Sequence, residues 1–369
     1  MDKNGRYRHA IVGAGGIAQV HAEALRRLGG RCELVAVADV DPLRAAEFAA
    51  RWEVPAAHNS IGDLLADQQP DVVHLCTPPA IRREPAIEIL RAGANVLCEK
   101  PSTLSLRALD DIVRAEEVSS GNFGTIFQHR FGSAAGTLRS LVETGGLGIP
   151  LVAVCNTLWF RPDSYFDPDW RGRWSTEGGG PTLGHGIHQL DLLVAILGPW
   201  RDVVAVAARR ARSTNTEDIS SAIITFESGV VATVVNSLVS PRETSYLRFD
   251  FERATVEVQH LYGYRDEDWL VTPAPGHEEQ VRTAWARGTK GVDSSHVAQF
   301  TAVLDALDEG EPIPVRSSEA RATTELVAAI YASAFSGERQ VRGQITTESP
   351  FYESMAGTGP PWAPLKAER

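Results

Sequence analysis

Cysteine is scarce in this sequence, and its few copies stand far apart. The 369 residues include four cysteines, none in a C-x-x-C pair: Cys32, Cys76, Cys98 and Cys155. Zinc ligands and redox-active thiols usually come in such pairs, so neither a thiolate metal site nor a disulfide framework is indicated. We expect these cysteines to be reduced residues of the core.

Long apolar runs and an excess of positive charge are also missing. No stretch reaches the roughly 18 consecutive apolar residues of a membrane-spanning helix, and the N-terminal apolar segment is too short and glycine-rich for a signal peptide. The 36 Lys and Arg are outnumbered by 47 Asp and Glu, for a formal net charge of -11. Binding to nucleic acid needs concentrated positive charge, so it is not expected. The sequence predicts a cytoplasmic, enzyme-like protein without a membrane or nucleic-acid partner.

The chain is long enough for two domains. Over residues 1–127, short apolar runs such as "HAIVGAG", "CELVAVADVD", "DVVHLCTPP" and "NVLCEKP" alternate with helical patterns such as "GIAQVHAEALRRL" and "PAIEILRAG". Strict alternation of strand and helix is typical of βαβ units and a parallel sheet. We therefore predict an α/β fold whose N-terminal domain is a doubly wound Rossmann sheet.

The pattern changes in residues 128–345, where seven strand-like runs follow one another through short turns. Such runs predict a C-terminal α/β domain on a large, mostly antiparallel sheet, with one face covered by helices and the other free for a second subunit. "PTLGHGIHQLDLLVAIL", "SHVAQFTAVLDALDEG" and "SSEARATTELVAAIYASAFSG" are its expected helices. The proline-rich residues 346–369 are expected to form an exposed or oligomer-wrapping arm.

The first turn of the N-terminal domain carries the most informative glycines. "GAGGIA" fits the dinucleotide fingerprint G-x-G-x-x-G/A, with candidate cofactor-binding residues Gly13, Gly15, Gly16, Ile17 and Ala18. One glycine makes the tight turn, the next admits a diphosphate against bare backbone, and a small third residue lets helix and strand pack closely. The next helix offers free N–H groups to the phosphates.

The predicted second strand ends in Asp39, which lies 23 residues after Gly16. A carboxylate there can accept hydrogen bonds from the adenosine ribose hydroxyls and repels a 2′-phosphate. Val40 follows instead of an arginine, which also favours NAD over NADP. The alternative is a Rossmann-like domain without a nucleotide, in which this carboxylate caps a loop.

Two further strand ends point to the same crevice, since ligands of open α/β sheets lie beyond the carboxyl ends of the strands. Thr77 and Pro78 stand at one end, and Glu99 and Lys100 at the next. A lysine fixed at the end of a buried strand is either paired structurally or held for chemistry. Beside the reactive end of a cofactor, Lys100 can bind a substrate hydroxyl or take its proton.

A second chemical cluster lies in "WRGRWSTEGGGPTLGHGIHQLDLL". Trp170 and Arg171 stand in a loop, three glycines follow, and His185 and His188 are predicted to share one face of a helix. The glycines would let backbone approach a ligand closely or let the loop move. The two histidines followed by Asp191 also fit a metal pair, but no further ligand has suitable spacing, so no metal is predicted.

These motifs together resemble the glucose-fructose oxidoreductase, inositol dehydrogenase and rhizopine-catabolism (Gfo/Idh/MocA) family. The resemblance runs from Gly13 to about Met355 and rests on the glycine fingerprint, "TPP", "AGANVLCEKP", "GGLG", "EGGGPTLGHGIHQLD" and "SPFYESM", in that order. It implies NAD or NADP binding, chemistry at a carbinol carbon of a sugar or cyclic polyol, and a dimer or tetramer formed through the second sheet. It also implies that Lys100 is the catalytic or substrate-orienting base and that His188 takes part in proton transfer.

Two positions depart from the family pattern. Many members carry an acid four residues before the histidine, where this chain has Gly184, so a proton relay through that acid is not expected. Arg82 stands where members often have histidine, and it suits either the cofactor phosphates or an acidic substrate, or else a surface salt bridge. Trp159, Arg161, Trp170, Arg171 and His185 are expected near the substrate or the nicotinamide. Tyr331 is expected in the core, with a place in the site as the alternative. His296 opens a helix and is expected to face solvent, although it could also reach the site.

The sequence thus predicts hydride transfer between a substrate C–H and the nicotinamide, with a base that removes the hydroxyl proton. His188 is the preferred base because an imidazole has a pKa near 6.5, whereas that of Lys100 begins near 10.4. Lys100 would then polarise the reacting oxygen, although the family precedent allows exchanged roles. Two alternatives remain: a lyase, glycosidase or epimerase that acts through transient oxidation and retains its cofactor, and a non-catalytic nucleotide-binding regulator.

Overall fold

The structure is a computed structural model, and it describes residues 5–368. The chain packs into two compact units. The first unit comprises the residues up to 103, residues 108–126 and residues 296–321. The second unit comprises residues 104–107, residues 127–295 and the residues from 322 onwards.

The first unit is built on alternating strands and helices, as predicted. Its strands are β1 Tyr7–Val12, β2 Cys32–Ala38, β3 Ala56–His58, β4 Val72–Leu75, β5 Asn95–Cys98 and β6 Phe123–Thr125. The helices between them are α1 Gly16–Arg27, α2 Pro42–Trp52, α3 Ile61–Gln68, α4 Arg83–Arg91 and α5 Leu106–Glu116. All six strands are parallel, in the order β3-β2-β1-β4-β5-β6. This is the doubly wound order of a Rossmann fold, with the switch point between β1 and β4.

Local sequence explains where several of these helices begin. The Asp41 carboxylate accepts the N–H groups of Leu43 and Arg44 at the start of α2, and Pro42 occupies the first helical position. Ser60 caps α3 in the same way through the N–H of Asp63. Side-chain caps of this kind satisfy donors that have no partner inside the helix.

The remaining elements lie later in the chain. They are the strands β7 Pro150–Phe160, β8 Trp200–Ala208, β9 Ile219–Phe226, β10 Val231–Ser237, β11 Val239–Phe251, β12 Ala254–His260, β13 Trp269–Pro273 and β14 Gln340–Val341. The helices are α6 Ser133–Glu143, α7 Trp174–Glu177, α8 Pro181–Gly184, α9 Ile187–Leu197, α10 Glu278–Ala286, α11 His296–Glu309, α12 Ser317–Ser336 and α13 Pro350–Glu353.

Helix α11 belongs to the first unit, although it follows the long run of second-sheet strands. Phe300, Val303 and Leu304 pack with Ile11 and Val37 in one of the two cores of the first sheet. The predicted boundary after residue 127 therefore separates α11 from the sheet it covers. The sequence does not show that α11 packs on the first sheet, because helix amphipathicity indicates that one face is buried but not against which sheet.

The eight strands β7 to β14 form the sheet of the second unit in the order β13-β12-β11-β7-β10-β9-β8-β14. Neighbouring strands are antiparallel except for β7 and β10. Buried and exposed residues alternate along β9 and β10, as expected where one face is covered and the other is open. The predicted α/β architecture is confirmed: a Rossmann sheet in the first unit and a mostly antiparallel sheet in the second.

Two local predictions need correction. The segment "PTLGHGIHQLDLLVAIL" is two helices, α8 and α9, with His185 and Gly186 between them. His185 and His188 therefore do not share one helix face. The proline-rich tail is not a free arm over its described part, because Trp362 donates to the carbonyl of Asn215 and Lys366 to that of Phe166. Across residues 5–368, none of the helices has the length and apolar character needed to cross a lipid bilayer.

Candidate active site

The turn after β1 has the geometry that a dinucleotide requires. Gly13 has φ +91°, and a Cβ there would lie 2.9 Å from the backbone nitrogen of Thr77, so only glycine fits. Within residues 5–368, a Cβ on Gly15 or Gly16 would meet no atom within 4 Å. The second and third glycines thus face open space, where a diphosphate can approach the backbone.

Helix α1 starts at this turn with its N–H groups available. Gly15 occupies the cap position, and no side chain of the described residues caps the helix. The first turn also lacks an acidic residue that would repel an anion. Ala18 is buried in the core, which is the close packing expected at the third fingerprint position. These features fit the diphosphate of NAD.

Asp39 lies directly after β2, where the adenosine ribose is expected. One carboxylate oxygen accepts the N–H of Ala14 at 2.8 Å, and the other accepts that of Asp41 at 3.0 Å. Arg44, in the first turn of α2, places a guanidinium nitrogen 3.5 Å from the carboxylate. Arg44 was not identified from the sequence, and it adds positive charge beside the expected ribose.

Arg82 links the ends of β4 and β5 through hydrogen bonds. Its side chain is buried and donates to the carbonyl of Thr77 at 2.7 Å and to the carbonyls of Glu99 and Pro101. It is therefore neither a surface salt bridge nor a free phosphate ligand. Next to it, the Thr77 hydroxyl is buried without a hydrogen-bond partner in the described part of the chain, while Pro78 is exposed. An orphaned hydroxyl beside the glycine turn fits a cofactor contact.

Lys100 is half-buried directly after β5. Burial lowers its pKa from 10.5 to about 8, with a further lowering by Arg82 and an opposing effect of the Glu99 carboxylate. Glu99 itself is buried and turned inward: one oxygen contacts His21 at 2.9 Å and His296 at 3.1 Å, and the other accepts the N–H of Lys100. His296 was expected to face solvent, and that expectation was wrong.

His188 lies in the second unit, buried on the first turn of α9. Its ring is 4.9 Å from that of His129, 5.6 Å from that of Tyr262 and 6.2 Å from that of Phe127, centroid to centroid. His129 and Tyr262 were not identified from the sequence. They come from a 3₁₀ turn after β6 and from the loop after β12, so no local motif joins them to His188.

Helix α9 is anchored by Asp191, one turn after His188. Arg130 binds this carboxylate through two hydrogen bonds of 2.6 Å, and the Thr323 hydroxyl adds a third at 3.1 Å. All of these atoms are buried or nearly so, so the pair is well shielded from solvent. Asp191 therefore acts as a structural anchor and not as a metal ligand beside the two histidines.

The other predicted substrate residues form an aromatic and arginine cluster in the second unit. The Trp159 ring lies 5.0 Å from that of His185, and the Arg161 guanidinium lies 4.8 Å over Trp159. Arg171 stacks 4.2 Å over the exposed Trp170. It also lies 3.8 Å over Tyr165, a residue that the sequence did not single out. The sequence-predicted set is thus brought together around Tyr165.

The three consecutive glycines do not offer backbone to a ligand. A Cβ on Gly178 would lie 2.7 Å from the Leu104 side chain, one on Gly179 2.2 Å from the Tyr331 hydroxyl, and one on Gly180 1.9 Å from the carbonyl of Glu217. All three are buried. They are glycines because protein atoms fill the space of a side chain, which corrects the interpretation as a mobile or ligand-binding loop. Tyr331 is a core residue, as expected, and donates to Glu217 at 2.8 Å.

Comparison with known proteins matches two successive stretches of the chain to family models. Residues 7–125 match the model described as "Oxidoreductase family, NAD-binding Rossmann fold", and residues 136–258 match the "GFO/IDH/MocA C-terminal domain".

The chain belongs to the Gfo/Idh/MocA oxidoreductase family.

Individual members of this family are similar over most of the chain. The D-glucoside 3-dehydrogenase of Escherichia coli is 27% identical over an alignment of 358 residues that covers 90% of this chain and 96% of that protein. The 1,5-anhydro-D-fructose reductase of Ensifer adhaerens is 28% identical over 230 residues, 61% of this chain and 67% of the relative. The crystal structure of the WlbA dehydrogenase of Bordetella pertussis, in complex with NADH and UDP-GlcNAcA, is 25% identical with a TM-score of 0.80, covering 90% and 98% of the two chains.

Membership of the Gfo/Idh/MocA family confirms the predicted family, fold class, NAD cofactor and oxidoreductase activity. The relatives' names do not favour the alternatives of a cofactor-retaining enzyme or a regulator. The roles of individual residues stay predictions.

Proposed function

We propose that this protein is an NAD-dependent dehydrogenase that transfers hydride between nicotinamide and a hydroxyl-bearing carbon of a sugar or cyclic polyol. The observation that carries the proposal is a half-buried lysine of lowered pKa at a strand end of the NAD-binding sheet. The names of the two curated relatives support the substrate class, since they are a dehydrogenase of a D-glucoside and a reductase of an anhydro sugar.

The residues proposed to hold the cofactor are those of the glycine turn, the two strand ends and the second-unit loop. They are Gly13, Gly15, Gly16, Ile17, Ala18, Asp39, Thr77, Pro78, Glu99, Lys100 and Arg171. NAD supplies the hydride acceptor at C4 of its nicotinamide ring. Glu99 contributes through the backbone of Lys100, since both of its carboxylate oxygens are engaged within the unit.

We assign the hydroxyl proton to Lys100. The sequence favoured His188 because a lysine pKa near 10.4 is too high for a base at neutral pH. Burial removes that objection, since a pKa of about 8 leaves a substantial neutral fraction at slightly alkaline pH. His188 is proposed to bind and orient the substrate, together with Trp159, Arg161, Trp170 and His185.

The experiment combines NAD or NADP with a panel of D-glucosides, anhydro sugars and inositols and follows the absorbance of reduced nicotinamide. Replacement of Lys100 by Met removes the base, so kcat is expected to fall by about 10²–10⁴ while NAD still binds. Lys100→Arg keeps the charge but not the titration and is expected to be nearly as slow.

Turnover of Lys100→Met at the wild-type rate contradicts this assignment. Product formation without net reduced nicotinamide would instead identify a cofactor-retaining enzyme, and NAD binding without any turnover would indicate a regulator.

A homodimer or homotetramer is part of this proposal. The open face of the second sheet exposes apolar side chains on neighbouring strands: Val152, Val204, Val206, Ile223 and Val231. Water-exposed apolar patches of this kind are typical of subunit interfaces. Light scattering of the wild type and of Ile223→Lys tests it, because a buried lysine should shift the protein towards monomer. A cytoplasmic location stays a prediction.

A further inference from the structure

Four of the ten histidines gather with Glu99 on one face of the Rossmann sheet. Strand alternation places His9 beside Ile11 on β1, His74 beside Cys76 at the end of β4, and Glu99 beside Leu97 at the end of β5. Their apolar neighbours belong to one core, which α1 and α11 cover. His21 comes from α1 and His296 from α11. All five polar side chains are buried where apolar ones are the norm.

These side chains form an unbroken line of hydrogen bonds. His9 Nδ1 lies 2.8 Å from His74 Nε2, and His74 Nδ1 lies 2.9 Å from His21 Nδ1. His21 Nε2 then lies 2.9 Å from Glu99 Oε1, which also lies 3.1 Å from His296 Nε2. We refer to His9, His74 and His21 as the histidine chain. Its far end, His9 Nε2, is buried and has no hydrogen-bond partner among residues 5–368.

The carboxylate of Glu99 determines which ring nitrogen of each imidazole in the histidine chain carries the hydrogen. Two imidazoles and the N–H of Lys100 converge on it, which is the surrounding of an ionised acid. His21 must then donate from Nε2, so in a neutral ring its Nδ1 accepts. His74 must donate from Nδ1 and accept at Nε2, and His9 must donate from Nδ1. Every hydrogen of the chain thus points towards Glu99.

Burial favours this neutral arrangement. It lowers the pKa of His9 to about 4, that of His21 below its ordinary value and that of His74 well below it. Burial alone would raise the pKa of Glu99, but the hydrogen bonds from His21 and His296 hold it well below its usual range. The group therefore contains one ionised acid and neutral imidazoles along the chain.

A metal ion is the competing occupant, since the ligand atoms of His21, Glu99 and His296 lie within 4.8 Å of one another. Two ligands of a tetrahedral zinc ion, each at about 2.0–2.1 Å, would stand about 3.3 Å apart. The Nε2–Oε1 distances of 2.9 and 3.1 Å are instead those of hydrogen bonds. A divalent cation would also add positive charge beside the cations Lys100 and Arg82, which would repel it. The geometry favours the hydrogen-bonded anion.

We propose that His296 and the histidine chain are positioning residues that keep Glu99 ionised and hold it as a fixed counter-charge next to Lys100, an inference that rests on the proposed function of this lysine. The titratable and charged groups that face Glu99 come from each element around it: His21 of α1, His74 and Cys76 of β4 and its end, Cys98 and Lys100 of its own strand, Arg82 before α4, and His296 of α11.

The consequence for Lys100 has a definite sign. Burial and Arg82 lower its pKa, and the Glu99 charge opposes them. Loss of that charge must lower the pKa of Lys100 further. If Lys100 is the base, the acid limb of the pH–rate profile then moves to lower pH.

The first test observes the hydrogen positions in the histidine chain directly and needs no enzymatic turnover. Nitrogen-15 NMR of histidine-labelled, full-length protein at neutral pH should show His21 as the Nε2–H tautomer, and His9 and His74 as the less common Nδ1–H tautomer. His74 with its hydrogen on Nε2, or a doubly protonated His21, would overturn the proposed direction. Spectral changes on adding one equivalent of Zn²⁺ that map to His21 and His296 would establish the metal site instead.

The second test measures Lys100 through competitive labelling of lysines by acetic anhydride across a pH series, read by mass spectrometry. The chain has only four lysines, so Lys290 and Lys366 serve as internal references. The midpoint for Lys100, expected near 8, should move to lower pH in Glu99→Gln and, by a smaller amount, in His296→Gln, whose side chain lies at the edge of the core. His58 is half-buried and does not belong to the histidine chain, so His58→Gln is the matched control and should leave the Lys100 midpoint unchanged.

Failure of this inference and failure of the proposed function are distinguishable. An unchanged Lys100 midpoint in both variants refutes the positioning role, whatever the activity. A shifted midpoint with a pH–rate profile that does not follow it supports the positioning of Glu99 and refutes Lys100 as the base.

Discussion

At the scale of single residues, the glycines around the predicted sites separate into two kinds. A Cβ on Gly15, Gly16 or Gly184 would meet no atom within 4 Å in the described chain, whereas one on Gly13 or Gly186 would overlap neighbouring atoms. The sequence does not distinguish them, since both kinds occur in the same short motifs. Only the neighbours supplied by other segments decide which glycine can be replaced.

The position of the missing family acid can be tested with a matched pair. Gly184→Asp should fold with a free energy of unfolding within about 1 kcal/mol of wild type, because its side chain enters open space and its φ is ordinary. Gly186→Asp should lose about 1–3 kcal/mol, because its Cβ would lie 2.0 Å from Oδ1 of the buried Asn236 side chain.

Denaturant unfolding of the two variants makes this comparison. Equal losses in both would contradict the packing described here. With Gly184→Asp folded, its effect on KM for the sugar then reports whether the family carboxylate helps this chain bind substrate.

Asp39 provides a test of cofactor choice. Asp39→Asn removes the charge that repels a 2′-phosphate but retains an oxygen for the N–H of Ala14. We expect the ratio of kcat/KM for NADP to that for NAD to rise by at least about tenfold. Arg44→Gln should lower the same ratio in that background, because it removes the neighbouring positive charge. A ratio unaffected by Asp39→Asn would place the ribose elsewhere.

At the scale of elements, the strands were the easiest to predict and the histidine helix the hardest. Period-two alternation and short turns are local, so β7 to β13 were recognised as strands from sequence. The break between α8 and α9 falls at His185, whose backbone leaves helical geometry, and at the next residue, Gly186, the Asn236 side chain of β10 leaves no room for a Cβ. A partner 50 residues away in sequence cannot be read from helical periodicity.

Helix α9 should depend strongly on its buried ion pair. Arg130→Ala leaves the Asp191 carboxylate without its bidentate partner, so the free energy of unfolding is expected to fall by about 3–5 kcal/mol. The double variant Arg130→Met/Asp191→Leu should recover much of that loss, because no unpaired charge remains.

Chemical denaturation provides the measurement, and Arg26→Ala is the matched control. Arg26 pairs with Glu23 on the exposed face of α1, where an ion pair contributes less than about 1 kcal/mol. A loss at Arg130 as small as that at Arg26 would show that α9 is held by packing alone.

At the scale of the whole molecule, the buried imidazoles make stability depend on pH. His9, His21 and His74 have lowered pKa values in the fold, and the unfolded chain takes up these protons near pH 6.5. The stability that these three neutral imidazoles contribute is therefore fully present above about pH 6.5. It is lost as the pH falls towards their pKa values in the folded protein. Glu99, whose pKa is also lowered, adds a loss in the same direction at more acidic pH.

We expect the free energy of unfolding to fall steeply between pH 7 and pH 4. His9 alone, with a folded pKa of about 4, accounts for about 3 kcal/mol of this change. His9→Leu should reduce the slope by about one proton, and urea unfolding at several pH values measures it. Equal slopes in wild type and variant would mean that His9 is already protonated in the fold.

The sequence by itself determined the fold class, the family, the NAD-binding turn and the placing of Asp39 and Lys100 at strand ends. These features rest on local periodicity, turn chemistry and chain order, which are written in consecutive residues. Only the tertiary structure decided that α11 returns to the first sheet, that the triple glycine fills a core, and that four histidines from four elements line up behind Glu99. Those contacts join residues far apart in the chain, 65 positions for His9 with His74 and 197 for Glu99 with His296, and depend on which faces pack together.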